Sequence, residues 1–220
     1  MPERRSSPTR PANASDGSHL KVATRHWERL NQKDPLQLSA QTQFQLTHEG
    51  CLVFKFLNRN VMVDPRDRCL KRPVGTRWER IHDPLLELVS VLYLSNVQDV
   101  YPMGRDIVGT KDLREGHFFQ GPHELQTAPL VERYGDDIEG FKQASRRLEG
   151  EWMDMADAAA RLQPFPRLHA YYLLWRRDEE FPARMNVLFE RSIENVLAAD
   201  AIWALVNRVS TELLTPAAEI

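Results

Sequence analysis

Cysteine is nearly absent from this chain, with two in 220 residues. Cys51 and Cys69 cannot form a disulfide framework or a clustered metal site of their own. They are expected to be reduced, structural thiols of a cytoplasmic protein. Charge imbalance is also lacking: the formal net charge is −2. That leaves no electrostatic case for nucleic acid or for an anionic membrane surface as partner. No apolar run is long enough to span a bilayer. The longest, residues 85–94, is interrupted by Glu87 and Ser90. No secretory h-region follows the N-terminus. Also missing are a GxSxG elbow, a phosphate-cradling loop, a dinucleotide-binding glycine fingerprint and a CxxC pair. These absences remove the commonest motif-bearing enzyme classes.

What remains has the composition of a soluble globular domain, with 42% hydrophobic and 27% charged residues. Residues 1–18, rich in Ser, Pro, Arg and Asn, have little to bury and read as a disordered tail. A single α+β domain is expected over 19–215, with a short C-terminal tail at 216–220. Its organising stretch is 165–214. There Leu168–Trp175 is apolar on both faces, as a strand inside a sheet should be. The charges Arg176, Arg177, Asp178, Glu179 and Glu180 form a solvated turn. Residues 183–190 then alternate, with Met185, Val187 and Phe189 inward, which completes an antiparallel hairpin. Beyond Ala198 the period becomes helical: Ile202, Leu205, Val206, Val209 and Leu213 share one stripe, and Pro216 stops the helix.

Upstream, Leu20, Ala23, Trp27 and Leu30 share a helical face. A meander is expected from Thr42, Phe44 and Leu46, then Leu52, Phe54 and Phe56, then Val61–Val63, with polar turns between. Asp83-Pro84 opens a helix that is apolar almost all round and therefore buried. Asp136 or Asp137 caps another helix, and Ala158, Ala160 and Leu162 suggest one more strand. The fold class is α+β: an antiparallel sheet, from the N-terminal meander and the C-terminal hairpin, covered by helices.

Chemistry-bearing residues gather in "DLREGHFFQGPHE". His117 and His123 lie six apart, with Asp112, Glu115 and Glu124 beside them and Phe118 and Phe119 between. Neutral imidazoles with carboxylate neighbours can hold a divalent metal or exchange protons near neutral pH. The spacing is not that of a zinc-protease helix. The bland alternative is a loop turned by glycines and anchored by phenylalanines, with its histidines capping or facing solvent. The candidate ligand-binding residues are His117, Phe119, His123 and Glu124. The acidic run Asp178–Glu180 reads as a hairpin tip with local ion pairs.

The segments "FPRLHAYYLLWRRDEEFPARMNVLFERSIENVLAADAIWALV" and "DLREGHFFQGPHELQTAPLVERYGDDIEGF" resemble the bacterial and archaeal family known as domain of unknown function 3786, over roughly residues 20–214. The resemblance supplies no established activity. Some relatives join this domain to an iron–sulfur cluster domain of the kind found near corrinoid and one-carbon enzymes, whose clustered cysteines this chain lacks. Three function classes follow. The first is an accessory protein that binds a small molecule or cofactor, in the corrinoid or one-carbon setting that the resemblance implies. The others are a metal-assisted enzyme using the His117/His123 loop, and a protein-interaction module. Neither the cofactor nor the partner is specified by the residues.

Overall fold

A computed structural model of the chain describes residues 22–99 and 106–216. The tail expected over 1–18 lies outside these residues, as does most of the C-terminal tail expected over 216–220. Helix α1 (Thr24–Asn31) buries Trp27 and Leu30. Helix α2 (Pro35–Thr42) follows Asp34, whose side chain accepts from Leu36 N, with Pro35 in the first turn. This corrects the reading of Thr42 and Phe44 as strand. The cap ahead of them starts a helix, Gln43 takes φ 64° at its end, and only Gln45–Leu46 remains as strand β1.

A meander of β2 (Leu52–Phe56), β3 (Arg59–Asp64), β4 (Cys69–Val74) and β5 (Arg77–Ile81) completes the first sheet, in the order β1-β2-β3-β4-β5. Its last two strands escape a hydrophobic reading. Only Cys69 and Leu70 are buried, and Arg72, Arg77, Glu79 and Arg80 leave no alternating apolar pattern beyond them. Helix α3 (Pro84–Asn96) starts where Asp83 Oδ1 accepts from Leu86 N at 3.0 Å. Strand β6 (Ile107–Val108) leads into a loop of three 3₁₀ turns. Helices α4 (Ala128–Tyr134) and α5 (Ile138–Arg147) come next, α5 capped by Asp137 through Gly140 N. Then come β7 (Glu151–Met153), β8 (Ala158–Phe165), β9 (Leu168–Trp175), β10 (Arg184–Glu190) and the closing helix α6 (Ala199–Leu214).

The second sheet runs β6-β10-β9-β8-β7, all antiparallel. The α+β class, the antiparallel pairing and the central place of Leu168–Trp175 are as the sequence implies. The meander and the hairpin, however, lie in two sheets rather than one. Phe165 stitches them together. Its ring stacks on Tyr93 of α3 at 5.0 Å and meets Phe54 at 5.1 Å and Phe44 at 6.0 Å. Helix α6 lies beside α3 with Ile202, Leu205, Val206, Val209 and Leu213 all buried, and Tyr172 of β9 donates to Val206 O at 3.2 Å. Cys51 and Cys69 are both buried and free, and burial pushes the Cys51 thiol pKa up. Among the described residues no helix is long and apolar enough to cross a membrane.

Candidate functional site

The loop that the sequence singles out is folded against the start of α6. Its 3₁₀ turns span Thr110–Asp112, Gly116–Phe118 and Gly121–His123. Gly116 is required by close packing: a Cβ there would stand 2.8 Å from Thr110 O and 2.9 Å from Lys111 O. Two sets of contacts fix the loop. On one side Arg114 reaches the segment between β10 and α6. Its backbone N–H donates to Glu194 Oε2 at 2.7 Å, its Nε to the same oxygen at 3.0 Å, and its Nη2 to Asn195 Oδ1 at 3.0 Å. Arg191 adds a bond from Nη1 to Asp112 O at 2.7 Å and an ion pair with Asp106 at 2.6 Å.

On the other side the rings pack together. His123 stacks on Phe118 with centroids 4.4 Å apart, and its edge meets Trp203 of α6 at 6.5 Å. Trp203 Nε1 donates to Glu124 O at 3.2 Å. Phe118 in turn meets Phe119 edge-on at 5.5 Å. Glu115 Oε2 accepts from Ala199 N at 3.0 Å, so a carboxylate from the loop satisfies the first free N–H of α6.

Between these anchors lies a cleft of about 460 Å³, walled by the loop, α1, the C-terminal end of α3 and the segment leading into α6. Leu113, Phe119 and Ile202 supply apolar wall, and Arg29, Asn96 and Gln98 face them from the other elements. Of the four candidate residues, Phe119 is buried and lines the cleft. His117, His123 and Glu124 are exposed and are not among its lining residues. His123 and Glu124 are tied to α6 through the ring of one and the carbonyl of the other. Among the described residues, no three His, Cys, Asp or Glu side chains are grouped so as to hold a metal ion.

Sequence reasoning missed Arg114, Glu194 and Arg29, because charged residues in loops and on exposed helix faces are ordinary. It also missed a polar cluster on the second sheet. His169 Nδ1 lies 2.9 Å from Glu190 Oε1, and Tyr171 donates to the same oxygen at 3.1 Å. All three are buried, and Glu190 Oε2 has no hydrogen-bond partner. Burial first, then the Glu190 charge, pushes the Tyr171 phenol up. One signal was available: a histidine in an otherwise apolar strand and a glutamate at the facing end of its hairpin partner.

Neither the curated proteins nor the solved structures contain a match to this chain. A family model does match, over residues 34–212, which spans both sheets, the loop and nearly all of α6. The chain belongs to the family described as Domain of unknown function (DUF3786).

Proposed function

We propose that this protein is an accessory protein that binds a small molecule or cofactor in the cleft between the 110–124 loop and α6. One observation carries the reading: the cleft's volume of about 460 Å³, with apolar walls and a few converging polar groups. Small-molecule sites commonly have volumes of about 300–1,000 Å³ and this mixture of walls. In this reading Phe119 touches the ligand. His123 and Glu124 act through the loop, holding Phe119 in place, and His117 makes no direct contact. A binding role accounts for the site better than metal-assisted catalysis does, since the described residues offer no three-ligand metal group near the histidines. The relatives that carry an iron–sulfur cluster domain favour service to a corrinoid or one-carbon enzyme, in the cytoplasm.

Native mass spectrometry of the protein purified from its own host tests the reading. The expected result is a small-molecule adduct that is lost in Phe119→Ala and in Ala198→Trp, which places an indole at the cleft wall. An adduct retained in both variants would put the ligand elsewhere, and a protein that carries no adduct and takes up no small-molecule probe in the cleft would end the proposal.

A further inference from the structure

We propose that the ligand of this cleft is an amphipathic monoanion, an organic acid whose apolar body rests on Leu113, Phe119 and Ile202 and whose acid group is met by Arg29. This rests on the binding reading above and adds the ligand's chemical class. The charges around the cleft select this class. Two carboxylates line it, and each is already engaged by the protein. Glu115 accepts from Ala199 N at 3.0 Å. Glu194, with only 8% of its side chain exposed, is held by Arg114 and has the Arg191 guanidinium 3.9 Å away. The α6 N-terminus is equally occupied, because Ala199 N meets Glu115 and Ala201 N meets Asp200 Oδ1 at 2.8 Å. It therefore offers little to an anion.

Arg29 differs from these groups. It lines the cleft, and its guanidinium has no ion-pair or hydrogen-bond partner among the described residues. Lys33, two residues past the end of α1, donates to Val97 O, the carbonyl between the two cleft residues Asn96 and Gln98. An unpaired guanidinium on the cleft wall, with the Lys33 ammonium in its neighbourhood and Glu194 already paired with two arginines, leaves a site that favours one negative charge. Burial first, and then the Arg29 charge, depresses the Lys33 ammonium, as expected of two like charges in one neighbourhood. An acid group docked on Arg29 relieves that repulsion. The amide donors of Asn195, whose oxygen is already taken by Arg114, lie along the same wall.

Two fluorescent probes with one aromatic body test this: 8-anilinonaphthalene-1-sulfonate, and the neutral N-phenyl-1-naphthylamine, which lacks the sulfonate. Both are titrated into the full chain at low salt, into Arg29→Gln and into Ala198→Trp. Arg29 and Ala198 are exposed, so both variants should fold, and circular dichroism verifies that they do. The sulfonate is expected to bind about tenfold more tightly than the neutral probe, the scale of one charge-assisted contact. Arg29→Gln should remove that preference without weakening the neutral probe, and Ala198→Trp should weaken both. Equal binding of the two probes, or a preference that survives Arg29→Gln, overturns the anion assignment and leaves the cleft as the binding site. Failure of both probes to bind, or binding untouched by Ala198→Trp, overturns the cleft reading as well.

Discussion

Arg208 Nε lies 2.6 Å from the carboxylate of Asp83, joining the middle of α6 to the residue that caps α3. The same guanidinium reaches Glu212 one turn along, which also pairs with Arg59 of β3. Glu212 is buried, with only 4% of its side chain exposed, and Arg208 also covers the ring of Phe56 at 5.5 Å. Helices α3 and α6 and the first sheet therefore meet at one charged knot. Arg208→Ala removes the cation shared by two carboxylates and leaves Glu212 with Arg59 alone. Loss of one member of such a buried group costs about 3–5 kcal/mol. Urea denaturation should show a loss of that order. A cost below about 1 kcal/mol would mean that the knot is solvated and that Arg208 acts only as a surface residue.

Leu205, nearly one turn earlier on the same helix, is 1% exposed within the apolar stripe. Leu205→Ala should cost about 2–5 kcal/mol, from lost burial and from the cavity left behind. Chemical denaturation checks it. A much smaller loss would show that α6 closes onto the vacated space, as a loosely packed helix can.

Asp64 makes the acid side of the stability profile testable. Burial pushes its carboxyl up, but the N–H groups of Asp67 and Arg66, both at 3.0 Å, and the Lys71 ammonium at 2.6 Å more than offset this. Its pKa in the folded protein lies below the ordinary carboxylate value. A folded pKa below the unfolded one of about 3.9 gives stability that is complete well above that value and is lost as pH falls through the folded pKa. Wild-type protein should therefore lose stability as pH drops from about 5 toward 2. Asp64→Asn should be less stable at neutral pH and should lose less over that range. Parallel acid limbs for the two proteins would show that Asp64 is not a source of the acid sensitivity.

Some of this architecture was legible in the residues and some was not, for physical reasons. The apolar stripe of α6, the cap at Asp83-Pro84 and the doubly apolar β9 are local statements, because each is written within one element. The division into two sheets is not local. It depends on which strands Phe165 meets across the core, and nothing in the 165–214 pattern specifies Phe44 or Phe54 as partners. Strands β4 and β5 escaped notice because, past the buried Cys69 and Leu70, their hairpin is largely in solvent and has no hydrophobic period to read. The loop around His117 and His123 stood out by composition, but composition did not say which side chain faces inward. Phe119 does, and Arg29, which completes the cleft, comes from a helix about 90 residues earlier in the chain.

The two histidines of that loop should therefore behave differently when removed one at a time. His123 is held between Phe118 and Trp203, and its loss frees the loop at the point where Glu124 O meets the indole. Such ring contacts are worth about 0.5–1.5 kcal/mol, and a ligand that needs the loop closed must then supply that ordering itself. His123→Ala should weaken 8-anilinonaphthalene-1-sulfonate binding by about two- to tenfold, with little change in melting temperature, since the residue is exposed. His117 is exposed as well, makes none of these ring contacts and lies off the cleft wall. His117→Ala should leave binding within about twofold of wild type, the variation expected of a surface change. Equal losses from both variants would mean that the ligand reaches the imidazoles themselves. The site would then extend over the outer side of the loop, and the histidines would be contacts rather than supports.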